Sequence, residues 1–356
     1  MNTKSACRCR IAGRVVRLAL VASLTLPVTS EAQQRPAQRG VLAGASSDSA
    51  RNPLAAAVRG LRLRSIGPAL LSGRVSDVAV HPTDKKIWYV ATASGGLWKT
   101  TNAGTTFSPV FDDQGSYSIG VVVIDPRNPN VVWAGTGENN VQRSVSYGDG
   151  VYRSIDGGRS WQNLGLKQSE HVGKILIDPR NSDVVYVAAQ GPLYQNGGDR
   201  GLYKSTDGGK TWNKVLDGGE WGGVADVVMD PRNPDVLLAS TWQRARRQWG
   251  YIAGGPTSGL HRSTDGGATW TKVQRGLPTE ELGRIGLAVS PANPDVVYAI
   301  VEAAGRRGGF YRSTDNGVNW ERRSDHNTIG LYYAEIFADP KNVDRVYSMD
   351  VRTMIT

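Results

Sequence analysis

Stretches that pair a carboxylate with hydroxyls and an aromatic ring recur along the chain. They read SIDGGRSW at 154–161, STDGGKTW at 205–212, STDGGATW at 263–270 and STDNGVNW at 313–320, with a weaker TTNAGTTF at 100–107. A carboxylate beside a hydroxyl has the makings of proton transfer. That work needs several groups converging on one substrate, and copies spread along a chain do not converge. The same residue types have a structural use. The acidic position (Asn102, Asp156, Asp207, Asp265, Asp315) can accept the backbone N–H groups of its own turn. The glycines after it supply the positive φ of a tight hairpin. Trp161, Trp212, Trp270 and Trp320 close the boxes and can bury their rings between neighbouring units. The expectation is a structural joint used five times.

Chemistry of another kind lies between the boxes. Trp242, Arg244, Arg246, Arg247, Trp249 and Tyr251 crowd one segment. Arginine forks among aromatic faces suit carboxylates, sugars or extended peptides, and equally a solvated arm with anchoring rings. Glu138, Asn139 and Asn140 form a second group with Glu170 and His171, either a carbohydrate or cation site or a loop-bracing network. Glu220 and Trp221 sit among glycines, where a ring can stack on a sugar or plug a channel. Glycoside hydrolysis needs two carboxylates about 5–10 Å apart. Glu138, Asp149, Glu170, Asp199, Glu220 and Glu302 are available, with Glu138, Glu170 and Glu220 the catalytic candidates, and none forms a local signature. The four histidines are scattered and the boxes lack the alternating acids of a calcium loop, so neither metal nor cofactor is expected.

The elements that must hold these residues follow from the period. A second motif keeps phase with the boxes: DPRNPNVVWAG at 125–135, DPRNSDVVYVA at 178–188, DPRNPDVLLAS at 230–240, SPANPDVVYAI at 290–300 and DPKNVDRVYSM at 339–349. Each unit of about fifty residues contains four short β-type runs, as in VGKILID, VVYVAA, GLYKST and TWNKVL of the third. The fold expected is all-β, a β-propeller of four-stranded blades with the boxes on the C–D hairpins. Five blades are complete at about 73–111, 118–166, 171–216, 222–274 and 283–322. A sixth starts at YYAEIFADP (332–340) and lacks strand C and its box, so a piece of a longer propeller is expected, with residues 61–66 able to supply an outer strand. The A–B and C–D turns share one face. The long, individual B–C and D–A segments share the other, where ligands bind.

The boxes resemble the Asp-box repeat of bacterial neuraminidases. Together with the Asp-Pro-x-Asn-Pro-Asp turns, they look like the sortilin-type propellers and the family 74 glycoside hydrolases, the xyloglucanases. The chain most resembles large secreted bacterial propellers labelled glycosyl hydrolase or sortilin-like, over about residues 61–350. The resemblance is specific for fold, and such propellers host unrelated activities. Xyloglucanases carry a catalytic Asp in a Thr-Asp-x-Gly-Gly stretch of the first blade. The matching TASGG at 92–96 has Ala93 there. Their other catalytic Asp lies in a second propeller. The Arg-Ile-Pro stretch that a sialidase implies is missing.

Residues 1–32 read as a secretory signal, basic at Lys4, Arg8, Arg10, Arg14 and Arg17, apolar from Leu18 to Val28, and cut after Ala32. Residues 33–60 read as a disordered leader, and 61–356 as the propeller. Both cysteines lie in the signal, so the rest is held without disulfides. Removing the signal leaves 37 basic and 31 acidic residues, net +6, which does not demand nucleic acid. The reading is a secreted or periplasmic binding module for a protein, peptide or polysaccharide on the loop face. A glycoside hydrolase needing a further C-terminal half, or a scaffold of an extracellular assembly, are the alternatives.

Overall fold

The computed structural model describes residues 73–356. The expected signal (1–32), leader (33–60) and strand 61–66 lie outside them. Six antiparallel sheets follow one another along the chain in a propeller arrangement. The first holds Val75–Val80, Trp88–Thr92, Leu97–Thr100 and Ser108–Pro109; the second Ile119–Ile124, Val132–Thr136, Val151–Ser154 and Gln162–Asn163. The third holds Val172–Asp178, Asn181–Gln190, Arg200–Ser205 and Asn213–Leu216. The fourth holds Gly222–Met229, Leu237–Arg246, Gly259–Ser263 and Thr271–Val273; the fifth Leu282–Val289, Val297–Ala303, Gly309–Ser313 and Glu321–Ser324. Glu335–Ala338, Val346–Met349 and Met354–Ile355 make the sixth. Strand C of this sheet was expected to be absent. Met354–Ile355 occupies its place, because Ser348 and Tyr347 pair with those residues.

The first strand of each sheet packs against the first strand of the next, from the first sheet through to the sixth, and these strands form the axis. The second strand of the third sheet shows why the sequence adopts this form. Val185, Val187 and Ala189 join the core shared with the second sheet, while Tyr186 and Ala188 join the core shared with the fourth. Residues alternating between two apolar faces are what a sheet sandwiched between neighbours requires. Each large aliphatic side chain so buried contributes about 1.5–3 kcal/mol relative to exposure.

Hydrogen bonds fix the turns. In the third sheet Ser205 Oγ donates to Asp207 at 2.7 Å and accepts the Gly209 N–H at 2.8 Å, while Asp207 accepts the N–H and hydroxyl of Thr211 at 2.9 and 2.7 Å. Gly208 and Gly209 carry φ of 71° and 88°. Matching bonds recur at Ser154, Ser263, Ser313 and Thr100. Trp161 and Trp212 reach back to the preceding sheet, donating to Val110 O and Leu164 O, whereas Trp270 and Trp320 donate within their own hairpins. At the A–B turns Arg180 bonds Asp178 and also Asp235 of the following sheet, each at 2.7 Å; Arg232 does the same with Asp230 and Asp295 at 3.0 and 2.6 Å.

One junction is built differently. Buried apolar clusters join each sheet to the next from the first through to the sixth. Among the described residues no such cluster joins the sixth sheet to the first. Val78, Val80, Phe337 and Met349 flank that seam with a third to a half of their surface open. The seam is bridged by the Arg74 guanidinium over the Tyr332 ring, 5.6 Å from its centroid. Nearby, Val141 N–H donates to Leu331 O at 2.9 Å, tying the second sheet's B–C loop to the segment leading into the sixth sheet.

Candidate functional site

The inner ends of the seam and the second sheet's B–C loop enclose a cleft of about 330 Å³. Arg74, Ser76, Glu138, Asn139, Asn140, Tyr332, Tyr333 and Glu335 line it. Arg74 arrives from the turn before the first inner strand and donates Nε and Nη2 to the two oxygens of Glu138, at 2.7 and 2.5 Å. This bond raises the arginine's pKa. Glu138 is buried while Arg74 keeps water on one side. Tyr332 and Tyr333, from the link before the sixth inner strand, stand with ring centroids 4.6 Å apart at 41°. An aromatic pair beside planar amides and a fixed ion pair is a surface on which a sugar ring can stack and hydrogen-bond.

The loop that carries Glu138 is held from behind. Gly137, at φ 85°, passes so near the Glu170 carbonyl that a Cβ there would meet the oxygen at 1.8 Å. Glu170 itself stands in the left-handed region at φ 55°, and its carbonyl accepts the Gly148 N–H at 2.7 Å. His171 is fully buried, with Nδ1 2.9 Å from Glu138 O, and burial pushes its pKa well down, so the ring is neutral. Burial raises the half-buried Glu170 carboxyl. Asn139 bonds Gln190 of the next sheet. Glu138, Asn139, Glu170 and His171, grouped from sequence, therefore do meet in space.

The arginine-rich segment divides in two. Trp242, Arg244 and Arg246 are buried at the end of the fourth sheet's second strand. Arg244 donates to Asn140 O and Gly191 O at 2.7 and 2.9 Å, and Arg246 to Val141 O at 2.9 Å. Burial, and then the nearby Arg200 and Arg284, push the Arg244 pKa well down. These side chains staple the loops of the second and third sheets, around an apolar cluster of Val141, Leu193, Ala225 and Trp242. Arg247 lies over the Trp221 ring at 4.8 Å. Trp249, 86% exposed, tops the hairpin whose return strand is Tyr251–Ala253, and Tyr251 is exposed too. Glu220 is exposed and bonds Asn196.

Below the cleft the axis narrows to a small cavity with Asp77, Lys174, Asp226 and Glu335 in its wall. Asp77 accepts the Val122 N–H and Asp226 the Leu287 N–H, each from the sheet after its own, at 3.0 and 2.9 Å. Desolvation raises the pKa of the half-buried Asp77 and Asp226, and of Glu335, which keeps exposed surface. Burial works against the charge on Lys174, but Asp226, Asp77 and Glu335 together outweigh it and raise its pKa. Arg74, Lys174, Tyr332, Tyr333 and Glu335 were not singled out from sequence. The tyrosine pair lies in an irregular link, where no period marks it, and the axial charges look like ordinary strand residues until six inner strands are brought together. Ala93, where the resemblance to xyloglucanases implies an Asp, is buried and donates its N–H to Arg74 O at 2.9 Å. Among the described residues no group of three His, Cys, Asp or Glu is placed to hold a metal, and no helix is long and apolar enough to cross a membrane.

The family described as sortilin, neurotensin receptor 3, matches residues 149–277. A xyloglucanase of a Paenibacillus species is 27% identical over 252 residues, covering 64% of this chain and 23% of its own. A xyloglucanase of Acetivibrio thermocellus is 29% identical over 238 residues, covering 55% and 25%. The chain is similar to the sortilin-type and xyloglucanase propellers. It spans about a quarter of the length of these curated relatives. Among solved structures, the family 74 glycoside hydrolase of Niastella koreensis superposes with a TM-score of 0.59 at 18% identity, over 78% of this chain and 44% of that one. An ancestral enzyme of the same family gives 0.60 at 20%, over 81% and 36%. At those identities the likeness is one of fold.

Proposed function

We propose that this chain is a propeller of the glycoside-hydrolase type that holds a polysaccharide of the xyloglucan class on its loop face. The cleft carries the reading: two tyrosine rings, two asparagines and an arginine–glutamate pair around 330 Å³. The curated relatives named xyloglucanases support the ligand class. Trp249 and Tyr251, exposed, with the half-buried Arg247 beside them, extend the surface for a chain longer than the cleft. The amino-terminal segment is consistent with work outside the cytoplasm.

The carboxylates define what this propeller contributes to cleavage. Glu138 is committed to Arg74 by two short bonds, and the position of Ala93 carries no carboxylate. Hydrolysis requires a proton donor and a second carboxylate across the bond. Ala93 therefore favours the holding role; the second reading is a glycoside hydrolase whose cleavage depends on groups supplied elsewhere. Affinity electrophoresis in xyloglucan gels, with reducing-end release measured in parallel, separates the two. Retention without release favours the holding role, and release favours the enzyme. Migration unaffected by xyloglucan or any other β-glucan sinks both.

A further inference from the structure

A second surface lies away from the cleft. The outer strand of the fourth sheet, Thr271–Val273, pairs on one side with Gly259–Ser263 and, among the described residues, has no strand on its other side. A cavity of about 410 Å³ and one of about 360 Å³ flank this strand, and Lys272, Val273 and Gln274 stand in the walls of both. The two hollows share those three residues and together make a groove beside the outer strand. We propose that this groove takes an extended acidic peptide, which adds to Thr271–Val273 as a further strand.

The backbone supplies the affinity for an extended chain. An edge strand presents unpaired N–H and C=O groups in a row, and an extended peptide satisfies them while setting alternate side chains into the flanking hollows. The charges supply the direction. Arg262, Lys272 and Arg275 line the smaller hollow with Thr264, Thr269 and Thr271, and no carboxylate lines it. Arg262 donates Nε to Asn316 O at 3.0 Å, which anchors its guanidinium there. The larger hollow is lined by Glu280 and Glu281 with Pro256, Pro278 and Leu282. A bound peptide therefore places its acidic residues beside the three cations and its apolar residues toward the prolines. A sulfated sugar chain would meet the same cations but leave the strand edge unpaired. An edge lysine is also a common guard against strand pairing between molecules. At Lys272 that guard stands between two hollows, and the hollows are what an added strand needs.

The probe is a fluorescein-labelled decapeptide alternating Glu and Val, titrated into the whole chain at low salt. Saturable binding is expected, weakening as salt rises. Hydrogen exchange at residues 271–273 should slow on binding. The triple variant R262Q/K272Q/R275Q changes two exposed side chains and the half-buried Arg262; it should keep its circular dichroism and lose about tenfold in affinity, as three partly exposed ion pairs allow. No saturable binding would overturn the proposal. So would binding that leaves exchange at 271–273 unchanged, or affinity that the folded triple variant retains. Tighter binding of a heparin-derived oligosaccharide with no slowing at 271–273 would also overturn it, by assigning the cations to a sulfated sugar.

Discussion

Arg74 and Glu138 are joined by two hydrogen bonds of 2.7 and 2.5 Å, although 64 residues separate them. The pair ties the start of the first sheet to the B–C loop of the second, and Arg74 also lies over Tyr332 beside the sixth. Arg74→Ala leaves a buried carboxylate without its cation. The expected loss is about 1–3 kcal/mol, less than for a fully buried pair because water reaches one side of Arg74. Urea unfolding of R74A, E138A and the double variant checks it: the double should cost less than the two singles added together.

The hairpin serines hold the blades and leave the cleft alone. Ser205→Ala strips the hydroxyl that bridges Asp207 and Gly209 N–H, and should cost about 1–3 kcal/mol. Trp133→Ala empties a fully buried site beside Trp212 and should cost about 3–5 kcal/mol. In protein that remains folded, retention by xyloglucan should not change for either. A loss of retention at an unchanged melting temperature would instead put the hairpins in the binding site.

Arg244 and Trp249, five residues apart, should respond in opposite ways. Arg244→Gln removes donors from two buried carbonyls and should lower the melting temperature. Trp249→Ala touches an exposed ring, should leave stability within about 0.5 kcal/mol, and should weaken polysaccharide binding if the hairpin tip meets the ligand. Differential scanning fluorimetry beside affinity electrophoresis reads both.

The axial carboxyls give a pH signature. Desolvation beside the axial cavity raises Glu335 above its ordinary value near 4.5, and because the residue keeps water-exposed surface the effect is modest. The folded state therefore binds this proton more tightly than the unfolded chain does. The stabilisation is complete below the ordinary value and is lost as pH rises through the raised one. Glu335→Gln cannot ionise. The melting temperature of the wild type minus that of the variant should fall as pH rises from about 4 to 7. A difference that stays flat over that range would mean Glu335 titrates as it does in water.

The blades were legible in the sequence because a strand buried on both faces leaves a period of two, and its turns need particular residues. Val185 to Ala189 and Ser205 to Trp212 announce themselves in that way. Loop chemistry leaves no such trace. Glu138 and His171 could be grouped because two loops are neighbours along the repeat. Arg244 looks the same as Arg247 in sequence, and only the degree of burial separates the buried staple from the half-buried cation. Tyr332 joins Arg74 across the ring, and nothing local in either segment points to the other.

The seam between the sixth and first sheets has a mechanical meaning. A closed ring shares a radial load among all its joints. Among the described residues five joints are apolar, and the sixth rests on the Arg74 guanidinium above the Tyr332 ring and the Val141–Leu331 hydrogen bond, so strain collects there. Under heat or pulling this protein should behave as a bracelet with a clasp, parting first between Arg74 and Tyr332 while the five packed joints still hold. The cleft sits on that clasp. A ligand spanning Tyr332 and Asn139 would act as its pin, and the ring would be stiffer loaded than empty.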